Sequence, residues 1–320
     1  MSVPNYAGQR VLVTGATGFV GRRVARALAA QGAALVITGR DASALRQVAA
    51  DLRSPCEVQA VDLATPGEFD RLYRAVQPQV TFNLAGYGVD RSETDSTMME
   101  ALNTRLPAEM CEVLAQNPAH GGSRVELVHV GSGFEYGPVD GPVTEESPAR
   151  PTSDYGRSKL AGTLNVLQAS RERGLAAVVA RLFVVYGPGE HEARLLPSLL
   201  RAKQTGEAVP MTAGQQRRDF TFVDDAVEGL LRLGALRLDS LAATPGVVNV
   251  ATGTLTSVRE FAEAAAEVIG LAPQQLQFGA LPYRDDEVAQ GPVDTTKLKR
   301  LLDWTPQCAI REGIRRTKDA

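Results

Sequence analysis

The stretch "RVLVTGATGFVG", residues 10–21, runs from apolar residues through three glycines into a helical pattern. Its first six residues predict a buried strand, and the apolar spacing over 18–31 predicts the helix that follows. Between them, Gly15, Gly18 and Gly21 permit a tight turn, a close approach of the backbone to a phosphate, and close packing of helix on strand. A helix that begins there offers free N–H groups and its positive dipole end. The stretch therefore predicts a pyrophosphate site for a dinucleotide.

The first half of the chain repeats this alternation of short apolar runs and helical segments. Further strands are predicted at 34–39, 57–63, 79–86, 124–132 and 176–185, and helices near 95–117 and over 153–174. Because the strands are almost continuously apolar and alternate with helices, we expect a parallel sheet covered on both faces. The predicted fold class is α/β: a Rossmann-type doubly wound parallel sheet with a smaller mixed α/β C-terminal substrate lobe.

The alternation loosens after about residue 186, where elements shorten and Gly, Pro and charged residues increase. We expect residues 1–185 to form the dinucleotide-binding domain, and residues 186–219 and 254–320 to form the substrate-binding lobe. "GVVNVATG" (246–253) predicts one more apolar strand, so residues from about 220 to 253 are expected to return to the main sheet. The two lobes are therefore expected to interleave along the chain.

The composition argues against several other classes of protein. Lys and Arg number 34 against 37 Asp and Glu, a net charge of −3, which gives no general field for nucleic acid or an anionic membrane. Cys56, Cys111 and Cys308 form neither a metal-ligand pattern nor a disulfide framework, so we expect reduced thiols and no metal site. Neither a signal segment nor a run of about 18 apolar residues is present. We expect a soluble cytoplasmic protein with a small-molecule substrate.

The end of the second strand bears on the choice of cofactor. Sites that select NAD usually place Asp or Glu there, to accept from the ribose 2′-hydroxyl. Here the residues are Gly39 and Arg40, and a guanidinium suits a 2′-phosphate. Asp41 comes one place later and is expected to cap the next helix. NADP(H) is favoured and NAD(H) is the alternative, in which case Arg40 is a solvated loop residue.

The stretch "SDYGRSKLAG" (153–162) places Tyr155 and Lys159 on the same face of a predicted helix, one turn apart. A free phenol has a pKa of about 10, too high for a base near neutrality, and a nearby cation favours the phenolate. Alone, such a pair is more often surface decoration. Together with the glycine turn and with Ser132, whose hydroxyl can donate to a developing alkoxide, it indicates acid/base chemistry.

In order along the chain, "GATGFVG", "NLAG", Ser132 and "YGRSK" resemble the extended short-chain dehydrogenase/reductases, which include nucleotide-sugar epimerases, dehydratases and reductases. The resemblance spans nearly the whole chain, since it continues in "RLFVVYGPG" (181–189), "RRDFTFVDDAV" (217–227), "LPYRDDEV" (281–288) and "DTTKLKRLLDWTP" (294–306). It implies that Tyr155 is the acid/base, that Lys159 is its activator, and that Ser132 hydrogen-bonds the substrate oxygen.

The resemblance also implies a set of cofactor contacts and a mode of assembly. The cofactor-binding residues it implies are Gly15, Thr17, Gly18, Phe19, Val20, Gly21, Arg40, Asp62, Leu63, Leu84, Ala85, Gly86, Tyr155, Lys159 and Phe183. Asp62 and Leu63 would contact the adenine edge, although Asp62 can instead cap the helix after it. Members commonly form homodimers through two helices per subunit, for which the helices near 95–117 and 153–174 are the candidates.

The candidate substrate-binding residues are Tyr87, Gly133, Phe134, Arg218 and Arg284. Arg218 and Arg284 match family positions at which arginines bind a nucleotide diphosphate, and a surface salt bridge is the alternative for each. Tyr87 and Phe134 would line a sugar pocket, or equally fill the core. Where the family often has an Asn that contacts the sugar nucleotide, this chain has Val184, which leaves room for a less polar substrate.

Ketone reduction, epimerisation through a transient ketone, and dehydration share this machinery. Dehydratases usually carry an acidic pair where this chain has Gly133 and Phe134, so elimination is disfavoured; Glu135 is expected to be a buried or capping carboxylate. Because a reductase draws on the reduced NADP pool, Gly39 and Arg40 favour an NADP(H)-dependent reductase of a keto group on a nucleotide-linked deoxysugar. The alternatives are a nucleotide-sugar epimerase that retains its cofactor, and a dinucleotide-binding sensor without turnover.

Overall fold

The computed structural model describes residues 4–52, 54–90, 92–119, 124–238, 244–283 and 290–320. Within them the strands are β1 (Arg10–Thr14), β2 (Ala34–Gly39), β3 (Glu57–Ala60), β4 (Val80–Asn83), β5 (Leu127–Ser132), β6 (Ala177–Leu182), β7 (Val184–Tyr186), β8 (Val209–Met211), β9 (Arg217–Phe222), β10 (Gly246–Val250), β11 (Leu255–Ser257) and β12 (Leu276–Phe278). The helices of the same residues are α1 (Phe19–Ala30), α2 (Ala42–Ala50), α3 (Glu68–Val76), α4 (Ser96–Met99), α5 (Leu106–Gln116), α6 (Asp154–Arg173), α7 (Leu195–Thr205), α8 (Val223–Gly234), α9 (Val258–Ile269), α10 (Thr296–Leu302) and α11 (Ile310–Lys318).

Two compact units make up the chain, and the first comprises Met1–Tyr136, Ala149–Arg181 and Val227–Val248. Its sheet has the strand order β10-β6-β5-β4-β1-β2-β3. β1 lies parallel to both β2 and β4, β2 lies parallel to β3, and β4 lies parallel to β5. The strand order reverses between β1 and β4, and ligands of such sheets bind beyond the carboxyl ends of the strands at that point. The mainly parallel, Rossmann-like sheet confirms the predicted fold class.

The core of this unit lies between the sheet and the helices that pack on it. Leu12 and Leu127 of the strands are fully buried, and so is Met110 of α5; Val166 of α6 is almost fully buried. α6 packs on both β5 and α5, and α3 packs on α5. Burying one such side chain contributes about 2 kcal/mol, so α6 is held firmly at the carboxyl end of β5.

One predicted helix has a different internal structure. The segment near 95–117 contains a π-helical turn, Glu100–Arg105, between α4 and α5. Pro107 in the first turn of α5 has no N–H to donate to the carbonyl of Asn103, four residues earlier. That carbonyl lies against α6, because a Cβ added to Gly162 would be 2.1 Å from it. The local helix therefore widens where it crosses α6.

The predicted strand 176–185 is wrong as a single element, because β6 ends at Leu182 and β7 begins at Val184. β7 belongs to another sheet, in which it pairs with β9. Other strands are shorter than predicted: β3 ends at Ala60, β4 ends at Asn83, β5 begins only at Leu127, and β10 ends at Val250. Directly after β4, the backbone of Leu84 lies against Gly15 in the glycine turn.

The second unit comprises Gly137–Pro148, Leu182–Ala226 and Asn249–Ala320. It contains a sheet of order β11-β9-β7 and a pair β12-β8. Its core is aromatic: the rings of Phe220 and Phe261 stack with centroids 4.2 Å apart. None of the helices in the described residues is both long and apolar enough to cross a bilayer. Within the same residues, no group of three His, Cys, Asp or Glu side chains is arranged to hold a metal.

Candidate active site

The glycine turn after β1 packs backbone directly against backbone. Gly15 has a φ of +64°, and a Cβ there would be 2.6 Å from the carbonyl oxygen of Leu84. A Cβ on Gly21 would be 2.1 Å from the carbonyl oxygen of Gly15, and one on Gly18 would be 3.2 Å from the same oxygen. Side chains at Gly15 and Gly21 would overlap these backbone atoms, so both glycines are required for packing, whereas a side chain at Gly18 would make only a tight contact.

The turn leads into the amino-terminal end of α1. Gly18 is the N-cap, and in the part of the chain that the structure describes no side chain caps this first turn. The first turn of a helix has N–H groups without an intrahelical acceptor, and here these belong to Phe19, Val20 and Gly21. A phosphate is a suitable acceptor for them. The glycine cradle and the uncapped helix end fit the pyrophosphate of a dinucleotide. Thr17 is half-buried beside them.

The end of β2 carries no carboxylate. Gly39 is its last residue, Arg40 is exposed, and a Cβ on Gly39 would meet Thr17 Oγ1 at an ordinary 3.6 Å. Asp41 caps α2, because its Oδ1 accepts from the N–H groups of Ser43 and Ala44 at 2.7 and 3.1 Å. The bond from Ala44, and next the bond from Ser43, lower the pKa of the Asp41 carboxyl group. The predicted cap is confirmed; the contact of Arg40 with a 2′-phosphate stays a prediction.

Asp62 is too far along the chain from α3, the helix after it, to be its cap. Its carboxylate accepts from the N–H of Ala64 at 3.1 Å, whereas α3 begins only at Glu68 after its N-cap, Gly67. The helix-cap interpretation is therefore wrong. Leu63 is buried in the core of the first unit. The adenine contacts of Asp62 and Leu63 stay predictions.

Three buried polar side chains connect the ends of β1 and β4 to the middle of β5, in a network that the sequence analysis did not predict. Thr14 Oγ1 accepts from the N–H of Ala85 at 3.2 Å and donates to Asn83 Oδ1 at 2.8 Å. The Asn83 amide nitrogen lies 3.0 Å from His129 Nδ1. Because that nitrogen is a donor, His129 accepts at Nδ1 and is neutral. Burial, with the charge of Lys159, holds the pKa of His129 well below its ordinary value. The network holds the N–H of Ala85, in the middle of the predicted cofactor-binding segment 84–86.

Ser132 ends β5 and opens a single 3₁₀ turn, Gly133–Glu135. It is 6% exposed, and its Oγ accepts from the N–H of Phe134 at 3.2 Å, so the hydroxyl keeps its proton for donation. Glu135 Oε1 accepts from the N–H of Ser132 at 2.7 Å, which confirms the predicted buried, capping carboxylate. Phe134 is 55% exposed, so the interpretation of this ring as core is wrong.

Tyr155 and Lys159 both lie close to the turn that carries Ser132. The half-buried Tyr155 ring meets the Phe134 ring edge-on, with centroids 6.0 Å apart. One helical turn later, Lys159 Nζ donates to the carbonyl oxygen of Val130 at 2.6 Å. Because Val130 is two residues before Ser132 and Phe134 two residues after it, the structure brings the three predicted catalytic residues into one cluster.

The environment of Lys159 controls its charge. Its side chain is 5% exposed, and this burial lowers its pKa to about 8, while the nearby carboxylate of Glu135 acts in the opposite direction. The turn and the helix approach closely here, since a Cβ on Gly156 would be 2.6 Å from the carbonyl oxygen of Phe134. The cluster thus brings together the Lys159 ammonium, the Tyr155 phenol near the start of α6, and the turn that carries the Ser132 hydroxyl.

Asn103, in the π-helical turn, is a further buried residue of this site that the sequence analysis missed. Its Oδ1 accepts from the N–H of Tyr87 at 3.0 Å, and its Nδ2 donates to the carbonyl of Tyr87 at 2.7 Å and to Ser158 Oγ at 2.9 Å. It therefore clamps the segment after β4 to α6. A Cβ on Gly88, the residue after Tyr87, would be 3.1 Å from Tyr155 Cδ2. Tyr87 itself packs against the core of the first unit.

The remaining predicted site residues belong to the second unit or lie outside the described residues. Arg218, in β9, is half-buried and donates to the carbonyl of Arg217 at 2.8 Å. Phe183 precedes β7, and Val184 pairs with Phe220. Arg284 lies outside the described residues. The contacts of Arg218 and Arg284 with a diphosphate, and of Phe183 with a nicotinamide, stay predictions.

Comparison with known proteins gives consistent matches over both units. Residues 11–251 match the family described as the NAD dependent epimerase/dehydratase family. The chain is 32% identical to the dTDP-6-deoxy-L-talose 4-dehydrogenase (NAD(P)(+)) of Kitasatospora kifunensis, over 98% of this chain and 96% of that protein. It is 30% identical to the UDP-glucose 4-epimerase of Mycolicibacterium smegmatis, over 96% of this chain and 97% of that protein.

Solved structures show the same likeness. MoeE5 in complex with UDP-glucose and NAD matches with a TM-score of 0.80 and 30% identity, over 97% of each chain. The epimerase Mth375 of Methanothermobacter thermautotrophicus matches with a TM-score of 0.85 and 27% identity, over 98% of this chain and 92% of that one. The likeness therefore extends over nearly the whole length of the chain.

Proposed function

Because the chain belongs to the NAD dependent epimerase/dehydratase family, and is an NAD(P)-dependent enzyme of the extended short-chain dehydrogenase/reductase type, we propose that it uses NADPH to reduce a keto group of a nucleotide-linked deoxysugar. The observation that carries the choice of cofactor is the end of β2, where Gly39 offers no carboxylate and Arg40 is exposed. A guanidinium there attracts a 2′-phosphate, whereas the Asp41 carboxylate is occupied by the cap of α2.

The relatives support this class of substrate. The name of the Kitasatospora kifunensis relative describes a 4-dehydrogenase that acts on a dTDP-linked 6-deoxysugar with NAD(P)(+). Oxidation of an alcohol and reduction of the corresponding ketone are two directions of one hydride transfer. A dTDP-linked 4-keto-6-deoxysugar is therefore the first substrate to test on this enzyme.

Ser132, Tyr155 and Lys159 would divide the proton chemistry between them. When bound, the nicotinamide cofactor supplies the hydride. Ser132 Oγ would donate a hydrogen bond to the keto oxygen, and Tyr155 Oη would give its proton to that oxygen as it becomes an alcohol. The ammonium of Lys159 would stabilise the phenolate left behind until solvent returns the proton. The buried position of Lys159 and its bond to Val130 keep this charge at a fixed place.

Dehydration lacks the groups it would need. An elimination requires an acid and a base in addition to the acid/base tyrosine, and the residues after Ser132 are Gly133 and Phe134. Glu135, the first carboxylate after Ser132 in the sequence, is fully buried and accepts from Ser132 and Arg181. It is therefore not placed to exchange protons with a sugar.

The test is net consumption of cofactor. Purified enzyme is mixed with a dTDP-linked 4-keto-6-deoxysugar and either NADPH or NADH, and the reduced nicotinamide is followed by its absorbance. We expect NADPH to be consumed in proportion to the ketone, with the alcohol as product. Tyr155→Phe should abolish turnover and leave NADPH binding intact, because it removes the transferable proton and little volume. If this variant turns over at the rate of the parent enzyme, the mechanism is wrong.

An epimerase is the second candidate, and the 30% identity to a UDP-glucose 4-epimerase favours it. An epimerase must return the hydride to the same sugar, so it would retain its cofactor through purification and consume none. It would convert UDP-glucose to its C4 epimer without added cofactor. This result, with no consumption of NADPH by the ketone, would replace the proposed reductase.

A further inference from the structure

The carboxylate of Glu135 connects Ser132, which carries the candidate catalytic hydroxyl, to Arg181. Glu135 Oε1 accepts from the N–H of Ser132 at 2.7 Å, and Oε2 accepts from Arg181 Nε at 2.7 Å. The guanidinium of Arg181 in turn lies over the ring of Tyr136, 4.2 Å from its centroid. Each carboxylate oxygen is thus held from a different direction, and the 3₁₀ turn cannot rotate about the end of β5 without breaking one of these bonds.

The packing around the carboxylate is specific to this arrangement. A Cβ on Gly131 would be 2.7 Å from Glu135 Oε1 and 3.1 Å from Arg181 Cγ, so the strand residue before Ser132 has no side chain in order to admit them. The side chains of Glu135 and Arg181 are 0% and 4% exposed. Burying two charges carries a large desolvation penalty, and apolar side chains of the same volume often give equal or greater stability. Stability alone therefore does not account for the pair.

The charge of Glu135 also acts on Lys159. Burial lowers the pKa of the Lys159 ammonium to about 8, and the Glu135 carboxylate opposes that shift. His129, which faces Lys159 from β5, is held neutral by burial and by the Lys159 charge, so it adds no second cation. The carbonyl of Val130 accepts a hydrogen bond from the Lys159 ammonium, and Glu135 supplies a nearby negative charge.

We propose that Glu135 is a positioning residue for the reaction: it fixes the backbone of Ser132, is itself held by Arg181, and places a negative charge near Lys159. The inference rests on the proposed function, in which Ser132 and Lys159 act together on the proton. Glu135 is fully buried and so does not touch substrate. Its effect would be on the position of the Ser132 hydroxyl and on the pH range over which Lys159 remains protonated.

Two substitutions separate these effects. Glu135→Gln keeps an oxygen that can accept from the N–H of Ser132 but removes the charge. We expect the alkaline limb of the kcat profile to move to lower pH by about one unit, because Lys159 then loses its proton more easily. Glu135→Asp keeps the charge but is one methylene too short to reach Ser132. We expect kcat to fall about tenfold or more at every pH, with KM and the alkaline limb nearly unchanged.

The matched control is Glu57→Gln, which removes the carboxylate of another Arg–Glu pair of the same unit, Arg10–Glu57, at 2.6 Å. Arg10 and Glu57 begin β1 and β3, at the amino ends of the strands, whereas Ser132 lies at the carboxyl end of β5. Both side chains of the pair are 38% exposed. We expect parental kcat and pH profile. Kd for NADPH and the melting temperature are measured for every variant, so that misfolding is recognised.

The proposal is overturned if folded Glu135→Gln and Glu135→Asp both keep the parental kcat and alkaline limb while Tyr155→Phe is inactive. If Tyr155→Phe is as active as the parent, the proposed function fails first, whatever Glu135 does. Should either Glu135 variant not fold, Arg181→Lys takes its place. It keeps the positive charge but loses the fork and the contact with Tyr136. Lowered kcat at parental KM then supports the proposal, and parental kcat overturns it.

Discussion

Lys159 Nζ donates to the carbonyl oxygen of Val130 at 2.6 Å, a bond that ties the second turn of α6 to the strand end that carries Ser132. The side chain crosses from helix to sheet through the interior and is 5% exposed. Its charge is therefore desolvated. This relationship has a measurable consequence for the stability of the protein.

The stability of the protein should depend on pH through Lys159. Its pKa is about 8 in the folded protein and about 10.4 in an unfolded chain. Between these values the unfolded chain binds more protons, so the contribution of Lys159 to the free energy of unfolding rises with pH over this window. Relative to Lys159→Met, the parent enzyme should gain about 3 kcal/mol between pH 7 and pH 10.5. Urea denaturation at several pH values measures this.

The control for that measurement is Lys299→Met, since Lys299 is exposed. Its free energy of unfolding should follow that of the parent at every pH. A constant difference between the parent and Lys159→Met from neutral to alkaline pH would contradict the assigned burial of the charge.

Cofactor choice should follow the two residues at the end of β2. Arg40→Ala removes the exposed guanidinium, and we expect Kd for NADPH to rise about tenfold or more while Kd for NADH changes little. Adding Gly39→Asp should then favour NADH, because an added Cβ has ordinary contacts of 3.6 Å with Leu45 and Thr17, and the carboxylate can accept from a 2′-hydroxyl. Titration of both cofactors by fluorescence measures the two constants. Equal losses for both cofactors would remove the basis for NADP selectivity.

The glycine turn should not tolerate a methyl group at Gly21. An added Cβ would be 2.1 Å from the carbonyl oxygen of Gly15, and both atoms belong to packed backbone. We expect Gly21→Ala to lower the free energy of unfolding by about 2–3 kcal/mol and to weaken binding of either cofactor. Gly39→Ala is the matched control for folding, since its methyl group has ordinary contacts. Thermal melts and cofactor titrations decide; a Gly21→Ala variant as stable as Gly39→Ala would show that the turn can relax.

Local patterns in the sequence were enough for the features that depend on neighbouring residues. The strand, glycine turn and helix over residues 10–21 lie where the spacing predicts, Asp41 caps α2, and Glu135 is buried as a cap. Each of these follows from residues a few positions apart, because the constraint is a turn, a cap or a helical face. The parallel sheet follows from their repetition.

Contacts between distant parts of the chain were not predictable in the same way. His129 has no polar neighbour in the sequence that would reveal its role, yet in the structure it meets Asn83, 46 residues earlier. The break between β6 and β7 was also missed, because "AAVVARLFVV" is apolar throughout and does not mark the point where one sheet is left for another. Packing of whole elements, rather than local preference, decides both.

Asn103 is the strongest test of such a distant contact. Its amide makes three hydrogen bonds, two with the backbone of Tyr87 and one with Ser158. Asn103→Leu has nearly the same volume but leaves these buried groups without their partners, so we expect the free energy of unfolding to fall by about 3 kcal/mol.

Because the amide of Asn103 holds the segment beside Tyr155, kcat should fall as well, with parental binding of NADPH. Asn165→Leu is the control. It removes a single hydrogen bond, from α6 to the carbonyl of Thr104, and should cost about 1 kcal/mol. Urea denaturation and steady-state rates are measured on both variants. If Asn103→Leu is destabilised no more than Asn165→Leu and has the parental kcat, the clamp is not needed to hold Tyr155, and the rigidity of α6 alone must suffice.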